Sequence, residues 1–178
     1  RLGGTQVRGL ARGRMQGREF IREIPASKDD LGLGPEQARA LAERLGGVPV
    51  HALYSSPLER CRETAAPLAR ARGLTVLVRR DLIEPDFGEW TGRSIRQLAR
   101  TKQWRSVQLS PSSFRFPGGE SLRGVQSRSV DAVRAIAADH VRQTVVVVTH
   151  ADVVRLVLAD LAGLHLDLFQ RLSVEPGS

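Results

Sequence analysis

The sequence predicts an α/β fold: a three-layer sandwich whose mostly parallel central sheet carries helices on both faces. Two observations carry this expectation. Helical and strand patterns alternate along the chain from Gly34 onward, the order that builds parallel βαβ units. The tetrad Val145 to Val148 is too apolar to alternate, as expected of a central strand buried on both faces. Composition agrees, since 178 residues with 41% hydrophobic and 26% charged side chains suit one globular domain. A disordered chain, a collagen-like repeat and a disulfide scaffold are excluded. The single cysteine, Cys61, leaves neither an internal disulfide nor a Cys-based metal cluster. No apolar stretch approaches the ~20 residues of a membrane helix, and no signal-like apolar segment is present, so a cytoplasmic setting is expected.

The elements follow in order. Pro35 suits a first helical position, and Ala38, Leu41, Ala42 and Leu45 keep helical spacing until Gly46-Gly47. Val48 to Tyr54 reads as a strand. Ser56-Pro57 opens a second helix, with Ser56 as N-cap and Glu59 at N3 in a capping-box arrangement. Its apolar stripe is Leu58, Cys61, Ala65, Leu68 and Ala69, and Gly73 ends it. Leu74 to Val78 is a short strand, and Asp81 to Gly92 a loop punctuated by Pro85, Gly88 and Gly92. A polar helix is expected over 93–105 and a loop over 110–119. A long amphipathic helix over 120–140 carries Leu122, Val125, Val130, Val133 and Ile136 on one side. The strand 144–148 and a helix over 151–162 complete the pattern.

Charge is unevenly spread. Net charge is +8, and all but Lys28 and Lys102 of the 27 basic residues are arginine. Residues 1–22 hold six arginines against Glu19. The first thirty residues form an atypical basic Arg/Gly-rich segment in which neither a period of 2 nor one of 3.6 organises the apolar positions. This head lacks the aromatic interleaving of a nucleic-acid arm, so no nucleic acid is expected as partner.

Three stretches carry chemistry. Tyr54-Ser55-Ser56-Pro57-Leu58-Glu59-Arg60 runs a strand into a helix N-terminus, where free N–H groups favour an anion. Arg60 lies in the first turn, its fork suited to bidentate grip of phosphate oxygens; the alternative is a solvated helix arginine. Val145 to Asp152 delivers His150 at the carboxyl end of a strand, the edge where open α/β sheets bind ligands; the alternative is a histidine that closes the turn. Leu82 to Gly92 holds three carboxylates, Glu84, Asp86 and Glu89, beside Phe87 and Trp90. An acid beside aromatic rings can be pushed up towards proton-donating range, while helix capping and loop packing are the competing explanation. His51, His140 and His165 occupy a strand, a helix end and a short connection, and carry no such signal.

The segments SSPLERCRETA (55–65), LIEPDFGEWTG (82–92), FPGGES (116–121) and VVVVTHADVVRLVLA (145–159) resemble, in order and spacing, the histidine phosphatase or phosphoglycerate-mutase-like superfamily. The likeness is to its actinobacterial branch of probable phosphomutases and broad-specificity phosphatases, and extends over about 33–178. It implies phosphomonoester hydrolysis or phosphoryl transfer through a phosphohistidine, without metal or organic cofactor. By position, Arg60 would bind phosphate and His150 would stabilise the equatorial oxygens. Glu84, ahead of Asp86 and Glu89, would be the proton donor. Ser121 would lie near substrate, and Ala151, standing where the family usually has glycine, would keep its backbone N–H for phosphate. The expected partner is a phosphorylated small molecule or inorganic phosphate, with no membrane and with homodimerisation left open.

The chain departs from the family at its start. The resemblance implies a first strand ending in Arg-His-Gly, whose histidine is the nucleophile, yet no histidine precedes His51. Where the motif belongs, the chain reads Gln6-Val7-Arg8-Gly9-Leu10-Ala11, so the first strand is expected to be missing or replaced. The domain would then run over 31–178 and stop short at its C-terminus. Two explanations compete: a misassigned or out-of-frame start, or a degenerate member that binds phosphorylated ligands without turnover.

Overall fold

A computed structural model describes residues 34–174, and the basic head with its expected loss of a first strand lies outside the described residues. In chain order the main elements are α1 (Pro35–Arg44), β1 (Ala52–Ser55), α2 (Glu59–Arg72), β2 (Val76–Val78), α3 (Ile95–Leu98), α4 (Lys102–Leu109), α5 (Leu122–Asp139), β3 (Val145–Val148) and α6 (Ala151–Leu161). Short 3₁₀ turns lie at Arg80–Leu82, Gly88–Trp90, Pro111–Ser113 and Leu166–Arg171.

The three described strands pair in parallel in the order β2-β1-β3, with Leu53 opposite both Val76 and Val146. Strand side chains alternate between faces, and both faces are covered. Leu53, Val76, Val146 and Val148 pack with Ala65, Leu68 and Ala69 of α2 and with Ala42 of α1. Ala52, Tyr54, Val145 and Val147 pack with Ala132, Val133 and Ile136 of α5. This is the predicted layering. A third apolar cluster joins α5 and α6 to Trp90, Leu98, Val107, Phe114, Phe116 and Phe169.

Several boundaries differ from expectation. β1 begins at Ala52 rather than Val48, because ladder pairing with β3 starts at the Ala52–Val145 pair. β3, expected as a central strand, is one of the two outer strands of the described three, and its valines are only partly buried. The polar helix over 93–105 is two helices. Thr101 interrupts it, its hydroxyl donating to the Leu98 carbonyl at 2.7 Å and accepting from Trp104 N–H at 3.2 Å. The second helix starts after Leu58, not after Ser56, and has no side-chain cap. Gly73 does close α2, in the left-handed conformation that glycine adopts freely (φ 62°). Arg72 secures the α1–β1 connection by donating to the carbonyls of Leu45, Gly46 and Val48. No helix among the described residues is long and apolar enough to cross a membrane.

Leu53 is fully buried at the middle of the sheet, whereas Leu77 is 42% exposed on β2. Leu53→Ala is expected to cost about 3 kcal/mol by leaving a cavity. Leu77→Ala should stay within about 0.5 kcal/mol of the parent. Urea midpoints compare the two.

Candidate functional site

Parallel pairing sets the site. β1 and β3 end side by side, Ser55 opposite Val148, and the Ser56 N–H extends the ladder by donating to the Val148 carbonyl at 2.9 Å. Each strand then turns into a helix, β1 into α2 and β3 into α6. Two helix N-termini with their unpaired N–H groups therefore meet at the carboxyl edge of the sheet.

Arg60, in the first turn of α2, reaches across this edge. Its Nη2 donates to a Glu84 carboxylate oxygen and lies 3.2 Å from His150 Nδ1. Glu84 Oε1 stands 3.9 Å from the same ring nitrogen. The Arg60 and Glu84 side chains retain 12% and 24% exposure, and His150 as a residue is 6% exposed. Arg60, Glu84 and His150, which the sequence distributes over ninety residues, thus form one cluster. Ala151 is the first residue of α6, directly after His150. Ser121 is positioned otherwise. Its hydroxyl accepts from Gly124 N–H at 3.1 Å and so caps α5. Of the three loop carboxylates only Glu84 joins the cluster, since Asp86 accepts from Gly88 N–H at 2.9 Å to hold its own turn.

The segment bearing Glu84 is tied from behind. Arg128 of α5 donates to the Asp81 carbonyl at 2.8 Å and the Glu84 carbonyl at 3.3 Å. The same guanidinium holds both Glu120 oxygens at 2.9 Å, and Glu120 also accepts from Asp86 N–H at 3.0 Å. Thr149 donates to the Leu82 carbonyl at 2.6 Å, joining the end of β3 to this segment. Backbone bonds lace the FPGGES stretch to the carboxylate loop: Glu120 N–H to Asp86 O at 2.9 Å, and Glu89 N–H to Pro117 O at 2.8 Å. The two backbones come so close that a Cβ on Gly119 would lie 2.3 Å from the Asp86 carbonyl oxygen. One on Gly88 would lie 2.1 Å from that of Pro117.

Burial dominates the electrostatics. Removal from water pushes the Glu84 carboxyl up; Arg60 pulls it back, and Asp152 adds an upward push. Burial, with Arg60 and Arg128 nearby, lowers His150 from 6.5 to about 3, so its imidazole is neutral. Burial also raises Cys61 to about 11 against the pull of Arg60, which leaves an unreactive thiol.

Four residues of this neighbourhood escaped the sequence reading. Ser56, expected as a cap, is fully buried with its Oγ 2.8 Å from His150 Nε2. Cys61, expected only as apolar stripe, sets its Sγ 3.7 Å from Nε2. Asp152 pairs with Arg155 at 2.9 Å beside Glu84. Arg128 carries no local signal in a chain so rich in arginine. The other histidines lie away from this cluster, though His51, expected inside a strand, lies outside one. His51 precedes β1 at the opposite end of the sheet, its Nδ1 accepting from Thr144 N–H at 3.1 Å. His140 meets the Tyr54 hydroxyl at 3.0 Å. Among the described residues no group of three or more His, Cys, Asp or Glu is gathered to hold a metal ion.

A sheet edge that gathers arginine, histidine and a buried carboxyl is a candidate anion site, and comparison with known proteins gives the family. The model of the histidine phosphatase superfamily (branch 1) matches residues 31–178. The chain belongs to that superfamily. It is 34% identical over 138 residues to phosphoserine phosphatase 1 of Hydrogenobacter thermophilus, covering 76% of this chain and 65% of the relative. It is 35% identical over 153 residues to a metal-independent phosphoserine phosphatase of Arabidopsis thaliana, covering 83% of this chain and 61% of the relative. The chain thus spans less than two thirds of the length of these curated relatives. The solved structure of mycobacterial glucosyl-3-phosphoglycerate phosphatase complexed with VO3 superposes with TM-score 0.76 at 28% identity, covering 88% of this chain and 81% of that one. The phosphoglycerate-mutase-like fold expected from the sequence is therefore present.

Two predictions follow from the geometry. Gly119→Ala should destabilise the protein by about 3 kcal/mol, because its neighbours at the close approach are backbone and cannot yield; chemical denaturation measures it. The second concerns pH. Between pH 6.5 and about 3 the unfolded chain protonates His150 while the folded chain does not. Stability from this residue is therefore lost as pH falls through that window. The raised Glu84 works with the opposite sign, losing its share as pH rises above its usual value. His150→Gln should lose less stability than the parent between pH 6.5 and 5.

Proposed function

We propose that this chain binds the phosphoryl group of a phosphorylated small molecule, or inorganic phosphate, between Arg60 and His150. The observation that carries the reading is the contact of one guanidinium nitrogen with both the Glu84 carboxylate and His150 Nδ1. A guanidinium that already holds a carboxylate presents the donors a phosphoryl oxygen needs, and the two anions compete for the same nitrogen. The first backbone N–H of α6, at Ala151, adds a further donor beside His150. Ser121 caps a neighbouring helix and stands as a candidate contact for the rest of the substrate.

Within the family reaction, a histidine attacks phosphorus and forms a phosphohistidine as the alkoxide departs. Glu84 is the acid that protonates that alkoxide, a role supported by its burial and raised pKa. His150 is the second active-site histidine, and water then releases the phosphoryl group. No metal takes part in this scheme. The nucleophile has no counterpart among the 178 residues, since His51, the first histidine, lies at the wrong end of β1. Phosphomonoester hydrolysis or phosphoryl transfer is the family reaction this site would serve with such a nucleophile; binding of phosphorylated small molecules without turnover is the alternative reading for these 178 residues, in a cytoplasmic setting. The relatives' names point to phosphomonoesters of small hydroxylated compounds as the ligand class.

Calorimetric titration with phosphate and vanadate tests the reading. Binding is expected, weakened at least about tenfold by Arg60→Lys, which loses the fork geometry. Glu84→Gln should bind phosphate more tightly, because it removes the competing charge. Hydrolysis of p-nitrophenyl phosphate should be negligible. Absence of binding in a folded sample sinks the phosphate site; robust metal-independent turnover, abolished by His150→Ala, sinks the claim of a missing nucleophile.

A further inference from the structure

The two nitrogens of His150 face different worlds. Nδ1 faces the charged side, with Arg60 Nη2 at 3.2 Å and Glu84 Oε1 at 3.9 Å, and with Cys61 Sγ farther off at 4.0 Å. Nε2 faces the buried side, with Ser56 Oγ at 2.8 Å and Cys61 Sγ at 3.7 Å. Arginine only donates, so Nδ1 accepts and carries no hydrogen. The neutral ring then holds its one hydrogen on Nε2 and donates it to Ser56 Oγ. Ser56 is well placed to receive it. The residue is fully buried, its N–H donates to Val148 O at 2.9 Å, and its Oγ also accepts from Leu58 N–H at 3.4 Å. The backbone of the sheet edge thus fixes the hydroxyl in space.

We infer that Ser56 is the positioning residue of His150: its hydroxyl anchors Nε2, leaves Nδ1 as the nitrogen that meets a bound phosphoryl group, and lets the ring change tautomer when it does. The inference rests on the phosphate-site reading above. A phosphoryl oxygen beside Arg60 needs an N–H from the imidazole, whereas Nδ1 offers a lone pair. A hydroxyl both donates and accepts, so Ser56 can reverse its role. The N–H bond at Nε2 breaks and one at Nδ1 forms by proton exchange with water, while Ser56 Oγ–H turns to donate to Nε2. The ring remains neutral throughout and no net proton is taken up. Ser56 touches the histidine and not the phosphoryl group, and a side chain without a hydroxyl cannot perform the reversal.

Long-range proton–nitrogen NMR of the histidine-labelled chain at pH 7 tests this, with His150→Gln identifying the signal. The parent is expected to show protonated Nε2 and bare Nδ1, and protonated Nδ1 once inorganic phosphate saturates the site. Ser56→Ala should replace the single tautomer by averaged shifts and weaken phosphate binding about fivefold to tenfold. Ser56→Thr, which keeps the hydroxyl, should restore the signature. A parent ring already protonated at Nδ1 without phosphate overturns the inference. So does a folded Ser56→Ala with the parent's signature and affinity. If Ser56→Ala does not fold, a folded Ser56→Thr lacking the Nε2–H signature overturns it equally. Failure of the underlying reading looks different: phosphate then binds neither parent nor variants, while Ser56→Ala still scrambles the tautomer and so supports the anchor alone.

Discussion

A guanidinium taken out of water must have an anion beside it, and the architecture around Arg60 follows from that requirement. With 12% of its side chain exposed, Arg60 would be costly unpaired, and Glu84 is the group that satisfies it. Glu84 in turn sits on a loop with no regular structure to hold it. Arg128 and Glu120 supply the hold, fastening the loop carbonyls to α5. His150 completes the arrangement as a neutral ring, because a third charge in this space would be desolvated and repelled by Arg60.

The same requirement bears on the proposed phosphate site. The carboxylate holds the arginine in place, so on that proposal the donors are already aimed at a phosphoryl group. Displacement of Glu84 from Arg60 removes the influence that holds its pKa down, and burial then favours its protonated form. On the proposed reading, this one contact links anion binding to the protonation of Glu84.

Much of this was legible from residue order alone. Periodicity marked α1 and α5, and Gly73 marked the close of α2, since each of these signals is local. The layers followed from alternation of helix and strand, and the cluster of Arg60, Glu84 and His150 from family likeness. Boundaries were less legible: where β1 begins depends on the partner Val145, which no local pattern announces. Ser56 misled for a physical reason. A serine before a proline at a strand end has the chemistry of a helix cap, but here a buried imidazole takes the hydroxyl, and the helix begins without it. Arg128 was invisible because two of its partners are backbone carbonyls forty-odd residues away, which leave no trace in a sequence, and its side-chain partner Glu120 lies eight residues back, off the helical i, i+3 and i, i+4 spacing.

The meeting of Gly88 with Gly119 has a consequence for diversity. Everything between those two glycines, including α3, α4 and the aromatic ring cluster of Trp90, Trp104 and Phe114, is an excursion whose two ends are clamped together. The clamp fixes where the segment leaves and returns, while its rings pack into the cluster shared with α5 and α6. Change in the exposed turns between these points leaves the Glu84 loop in register, whereas change in the rings is felt throughout the core.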